Sequence, residues 1–178
     1  GYPKLNIPNK VMKEIYSEYF LKILKGEISV DIIENYSEMA REIALEGKID
    51  KIVELLQKYL ENLSNRDYIK FDEKYVKLIF YCIAMNLKIF RLKSEMEVQR
   101  KYPDILLMPR DKNKGYKAVM LEFKYLKKEN ADKLEEKEEE AINQLKEYSE
   151  FEEIKEIENL SKYAVVAVGA EIKVSKIL

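Results

Sequence analysis

Three observations predict a mixed α/β fold for this chain. Up to about residue 87, apolar residues recur every three or four positions, the period of helices with one buried face. From residue 89 the period shifts toward two, and a turn rich in Pro, Asp, Asn and Gly at residues 109–115 separates two strand-like runs. A long charged helical segment then leads to the fully apolar run 163–168. Helix, three antiparallel strands, helix, strand is the order that results, with one right-handed crossover.

The elements follow in order. Residues 10–25 carry Val11, Ile15, Tyr19 and Ile23 at four-residue spacing, with Asn9 as a cap and Gly26 as the stop. Residues 29–45 turn Ile32, Ile33, Tyr36, Met39, Ala40, Ile43 and Ala44 inward and end at Gly47. A third helix over 50–63 places Ile52, Leu55, Leu56 and Tyr59 on one face, and 64–67 form a loop. The fourth, over 72–87, is apolar on most sides, as expected of a helix packed on a sheet. Strands are expected over 89–98, at the Asp104 run, over 116–125, over 163–168 and over 170–177 around Gly169. The long helix is expected over 129–148, with Leu134, Ala141, Ile142 and Leu145 as its thin apolar side. Two subregions are expected, a helical unit at 1–64 and an α/β unit at 67–178, with no Pro- or Gly-rich hinge between them. The helices are therefore expected to pack on the α/β core.

Composition narrows the chemistry. At 178 residues and 47% apolar the chain is large enough to bury a real core. It contains no histidine and one cysteine, Cys82. Ser-His and Cys-His catalysis and histidine-ligated zinc are excluded, and any metal must be held mainly by oxygen. Cys82 lies in the apolar run 79–84 and reads as a buried, inert thiol. A single cysteine fits a reducing cytoplasm. No run is long and apolar enough to span a bilayer, so no membrane association is expected.

The net charge is −1, yet charge is unevenly distributed. Residues 88–128 hold 12 Lys/Arg against 5 Asp/Glu, whereas 129–158 hold 13 acidic against 4 basic residues. The basic stretch suits a phosphate backbone, and Arg100, Lys101, Lys127 and Lys128 are its candidate contacts. Both stretches also fit plain solvated faces.

The chemistry-bearing residues lie within that basic stretch. Tyr102-Pro103-Asp104-Ile105-Leu106-Leu107-Met108 puts an aspartate on an apolar run, and Val119-Met120-Leu121-Glu122-Phe123-Lys124 puts Glu-x-Lys on the next. Side chains two apart on a strand share a face, so Glu122 and Lys124 point the same way. In a hairpin Asp104 joins them. Two carboxylates suit a hard cation of the Mg²⁺ type, and an adjoining lysine suits a water or a phosphate. That set fits metal-assisted phosphodiester hydrolysis. The alternative readings are a turn residue at a strand start for Asp104, an internal salt bridge for Glu122, and an edge lysine for Lys124. A buried unpaired carboxylate is costly, which favours a metal.

Pro103-Asp104 followed by Glu122-Phe123-Lys124 resembles the signature of the PD-(D/E)XK nuclease superfamily. The stretch Leu121 to Glu129, the acidic helix ending in Ala141-Ile142-Asn143-Gln144-Leu145, and the Ile7-Pro8-Asn9-Lys10 opening look like one branch of it. That branch forms the C-terminal part of proteins with an AAA-ATPase-like N-terminal domain. The resemblance implies a restriction-endonuclease-like core preceded by helices, in a C-terminal fragment of a larger protein, and the opening Gly1 agrees with a fragment. It implies Asp104 and Glu122 as ligands of Mg²⁺ or Mn²⁺, with the Phe123 backbone carbonyl as a further ligand. Lys124 is implied as the residue that orients water or stabilises charge, and Gln144 as a site-facing residue of the helix. Glu73 matches an acidic position on the helix before the first strand. Glu97 matches another before the Asp strand, although Val98-Gln99-Arg100-Lys101-Tyr102 lacks the glycine usual there; Glu73 and Glu97 are implied to support the metal or a lysine, with Glu97 as a further metal ligand. The partners implied are nucleic acid, with DNA favoured, and the ATPase-like region. Tyr102, Tyr116 and Tyr125 are candidates for stacking on unpaired bases. A rival reading keeps the fold as an inactive nucleic-acid-binding or regulatory module.

Overall fold

The computed structural model describes residues 15–19, 22, 35–63, 71–94 and 102–177. Residues 15–19 and 22 are helical; the rest of the first expected helix, residues 29–34 of the second with Ile32 and Ile33, the loop at 64–67 and residues 95–98 lie outside the described residues. Helices α1 (Tyr36–Glu46), α2 (Asp50–Glu61) and α3 (Glu73–Ala84) lead into strands β1 (Phe90–Ser94), β2 (Ile105–Pro109) and β3 (Ala118–Leu126). Helix α4 (Leu134–Ser149), a single turn α5 (Glu152–Lys155), and strands β4 (Leu160–Val168) and β5 (Glu171–Ile177) complete the chain.

The sheet has the order β1-β2-β3-β4-β5. Its first three strands pair antiparallel, β4 joins β3 in parallel, and β5 returns antiparallel at the edge. A parallel neighbour needs a crossover, and α4 supplies it. Alternation on β3 sorts the two faces. Val119, Leu121 and Phe123 enter the larger core with α1, α2 and α3, and Phe123 packs on Phe80 of α3 at 5.0 Å between ring centroids. Met120 enters the smaller core with Ala141, Leu145 and Tyr148 of α4. The larger cluster runs unbroken from Met39 on α1 to Ala167 on β4. Gly47, in the left-handed region at φ 68°, ends α1 where a Cβ would meet Ser161 Oγ at 2.5 Å. Its carbonyl accepts the Tyr163 hydroxyl at 2.7 Å, which ties the helices to β4. Among the described residues, no helix is long and apolar enough to cross a membrane.

Two expectations need correction, and one element is new. The long helix begins at Leu134, not at 129; Lys128–Lys133 form a 3-10 segment in which Asn130 leaves helical geometry at φ −112°, ψ 23°. That segment buries no side chain, so nothing holds an α-helix to the sheet before Leu134. The turn starts later than 109, because Pro109 pairs with Phe90 as the last residue of β2. The single turn α5 was not anticipated, being anchored by one buried residue, Ile154.

Candidate active site

The site forms where β2 and β3 part. Their pairing ends at Ile105 opposite Leu121, and Asp104 stands just ahead of β2 instead of within it. Its carboxylate takes over from the ladder: Asp104 Oδ2 accepts the Phe123 N–H at 2.8 Å. The Asp104 N–H in turn donates to Glu122 Oε2 at 3.4 Å, a long hydrogen bond. A strand residue turns its N–H and C=O toward the same neighbour, so the Phe123 carbonyl also faces Asp104.

Glu122 and Lys124 lie on the β3 face that Met120 begins, toward α4. Lys124 Nζ is 3.1 Å from Glu122 Oε1 and 3.6 Å from Glu140 Oε1 on α4. Glu140 is also paired with Lys137. Asp104, Glu122 and Lys124 keep only 5%, 2% and 5% of their surfaces exposed, so their charges must be answered by one another or by a ligand.

Helix α3 adds a second cation. Asp72 caps its start by accepting the Lys74 N–H at 2.9 Å, which puts Glu73 and Lys77 one turn apart on one face. Lys77 Nζ lies 2.7 Å from Glu73 Oε1 and 2.5 Å from Asp104 Oδ1. Glu73 thus reaches the centre through Lys77.

Electrostatics follow from burial. Loss of water, reinforced by the Asp104 charge and opposed by Lys124, pushes Glu122 up to about 7. Burial also raises Asp104, against the pull of Lys77 and of the Phe123 amide. Burial disfavours the charge on Lys77, but Asp104 and Glu73 outweigh it and hold the ammonium above its usual range. The pair of carboxylates is therefore a place that favours added positive charge. Burial pushes the Cys82 thiol up to about 12, which leaves it inert.

Asp104, Glu122 and Lys124 meet here, with Glu73 one residue removed. Gln144 is on α4 one turn beyond Glu140, and its buried Oε1 has no hydrogen-bond partner. Lys127 and Lys128 are exposed at the exit of β3, with the Lys128 stem against Gly169. Glu97, Arg100 and Lys101 lie outside the described residues. The three tyrosines do not form a stacking platform. Tyr102 is buried in the smaller core, Tyr125 turns to the larger one against Phe71, and Tyr116 lines a cleft with Tyr36 and Arg41 before β3 begins.

Sequence reasoning missed Lys77 and Glu140. The i, i+4 spacing of Glu73 and Lys77 was readable, but its link to Asp104 joins separate elements. Glu140 looked like any other residue of an acidic run, although its spacing of four from Gln144 marked a shared face. Among the described residues, no three His, Cys, Asp or Glu side chains are gathered to enclose a metal. The two central carboxylates nonetheless fit a hard cation: both are oxygen donors, both are desolvated, and an ammonium already stands against each of them.

No curated protein matches the chain. Residues 71–177, more than half of its length, match the PD-(D/E)XK nuclease superfamily. The match starts just before α3 and ends with β5, so it takes in the whole sheet, the crossover and every central residue of the site. A five-stranded mixed sheet flanked by helices is the restriction-endonuclease-like architecture of that superfamily. By its matched sequence and its fold, the chain belongs to the PD-(D/E)XK nuclease superfamily.

Proposed function

We propose that this protein is a metal-dependent nuclease domain that hydrolyses phosphodiester bonds, in DNA by preference. The observation that carries the reading is the buried pair Asp104 and Glu122, locked together through the backbone at Phe123, with Lys124 at 3.1 Å from Glu122. Asp104, Glu122 and the Phe123 carbonyl would hold Mg²⁺ or Mn²⁺. The chemistry that such a cation supplies when bound is polarisation of the phosphate and a lowered pKa for an attacking water.

This chain's own residues do the rest. Lys124 sits beside Glu122 on the same strand face, where its ammonium orients the water and offsets charge that develops on the phosphate. Glu140 keeps that ammonium from resting wholly on Glu122. Gln144, with an open buried acceptor one helical turn away, faces the same side and takes a donor from substrate or water. The buried backbone around Phe123 keeps bulk water out. Lys127 and Lys128, and Arg100 and Lys101 by their place in the basic stretch, steer the phosphate backbone toward the site. The resemblance of the opening and of residues 121–129 to the ATPase-linked branch supports an ATPase-like partner region that delivers substrate, and the lone, buried cysteine supports work in the cytoplasm.

One observation favours a second reading. Lys77 already neutralises Asp104 at 2.5 Å, as a site that binds nucleic acid without cutting it would allow. Incubation of the protein with duplex and single-stranded DNA and with RNA, with Mn²⁺ or with EDTA, separates the two. Cleavage that needs Mn²⁺ and is lost in Asp104→Asn is expected. Binding of nucleic acid with no cleavage under any metal selects the inactive module.

A further inference from the structure

Lys77 has no task in the scheme above, yet it occupies a central position. Asp104 has two oxygens. The Phe123 amide takes Oδ2 at 2.8 Å, and Lys77 takes Oδ1 at 2.5 Å. Any cation that uses the remaining capacity of Asp104 meets an ammonium already there. That ammonium is not bound to Asp104 alone. Glu73 Oε1 is 2.7 Å from the same nitrogen, on the same helix and one turn away. The Glu73 side chain is 33% exposed against 3% for Asp104, so it offers Lys77 a wetter and less costly resting place. The lysine stem is long enough to change partner by rotation about its own bonds, with α3 left in place.

We propose that Lys77 is a placeholder cation, which neutralises Asp104 while the site holds no metal and swings onto Glu73 when a divalent cation takes the Asp104 oxygen. The proposal rests on the reading that Asp104 and Glu122 hold the metal. Lys77 is then a positioning residue that sets how much metal the site needs, and Glu73 is a receiver for the lysine, not a ligand. The device keeps two buried carboxylates from facing each other unanswered. Its consequence is weaker metal affinity, because only molecules with Lys77 displaced are competent to bind. If Lys77 covers Asp104 in about nine of ten free molecules, its removal tightens metal binding about tenfold.

The test is calorimetric titration of the full chain with Mn²⁺ alone, so no cleavage is read. Parent, Lys77→Met, Glu73→Gln, the double variant and Lys77→Arg are compared. About tenfold tighter binding is expected for Lys77→Met, and a return toward the parent value for Lys77→Arg, which keeps a cation over Asp104. Glu73→Gln should weaken binding several-fold while Lys77 is present, since the displaced ammonium loses its receiver, and should have no effect once Lys77 is Met. Equal or weaker binding in Lys77→Met overturns the placeholder. So does a loss from Glu73→Gln that is the same in both backgrounds, because Glu73 would then be a ligand. Should Lys77→Met not fold without metal, Glu73→Gln alone decides, and an unchanged affinity there overturns the proposal. A Glu122→Gln control keeps the two levels apart. No Mn²⁺ binding by any protein, or binding untouched by Glu122→Gln, defeats the metal reading itself. Binding that depends on Glu122 but not on Lys77 defeats only the placeholder.

Discussion

The two rows of side chains on β3 are made by one strand and serve opposite ends. Val119, Leu121 and Phe123 are wholly buried among apolar neighbours from three helices. Met120, Glu122 and Lys124 alternate with them, and only Met120 is apolar. Both rows are almost equally removed from water, so the difference is not exposure but what answers the burial. On the first row burial itself stabilises. On the second it must be offset by pairing, and it is offset incompletely, which is why Glu122 stays raised. One strand thus holds a stabilising face and a buried charged face in strict alternation.

The sharpest way to break this contrast is to truncate one residue on each row. Phe123→Ala removes a fully buried ring that packs on Phe80, and a loss of about 3–5 kcal/mol in unfolding free energy is expected. Chemical denaturation without metal measures it, and a loss below about 1 kcal/mol would mean that the face bears less of the fold than its burial implies. Lys124→Ala should act mainly on function. Cleavage is expected to fall about 10²–10³-fold, as for loss of one charge-stabilising group. Stability should fall by less than for Phe123→Ala, about 1–3 kcal/mol, because Glu122 loses a partner at 3.1 Å but can take up a proton. Cleavage at the parent rate would remove Lys124 from the mechanism.

The charged row also carries a signature in pH. Glu122 ordinarily titrates near 4.5 and is pushed up to about 7 in the folded protein. Between those values the folded state keeps a proton that the unfolded chain has released, so stability falls as pH rises through this window and levels above it. The fall is on the order of 3 kcal/mol for this group. Glu122→Gln cannot release the proton, so its metal-free stability curve should be flatter from about pH 4.5 to about pH 8 and should lie above the parent at the alkaline end. Parallel curves for the two proteins would show that Glu122 is not the group that burial strains.

Much of this was legible from sequence because it depends on local pattern. The strand expected over 116–125 set Glu122 and Lys124 on one face, and the family motif drew attention to Glu73. The order of strands and the single crossover followed from the same pattern. What was not legible depends on meetings between elements. Asp104 works by ending the β2–β3 ladder, and that end is set by the twist and register of two strands. Lys77 and Glu140 reach the centre from helices on opposite faces of the sheet, and the four-residue spacings in their own segments do not tell which strand residue they meet. Tyr116 was misplaced for a related reason: it is near Glu122 in sequence, but a strand extends about 3.3 Å per residue and carries it toward Tyr36 and Arg41 instead.

The smallest effect expected lies where the charged row meets solvent. Beyond Lys124 the strand ends at Leu126, and Lys127 and Lys128 follow it into water, while the acidic helix α4 begins only after the 3-10 segment. Under the proposed function these two exposed lysines contact the phosphate backbone; neither is buried, and their replacement should leave folding unchanged. Lys127→Gln with Lys128→Gln should weaken duplex DNA binding and flatten its dependence on salt, by about 0.9 in slope for each phosphate that is no longer neutralised. Arg100 and Lys101 add to the same test as a second pair. Salt titrations of parent, double and quadruple variants on one duplex measure the contribution. Equal slopes would mean that the basic stretch is only a solvated surface, and that any nucleic acid bound by the protein is held through other parts of the molecule.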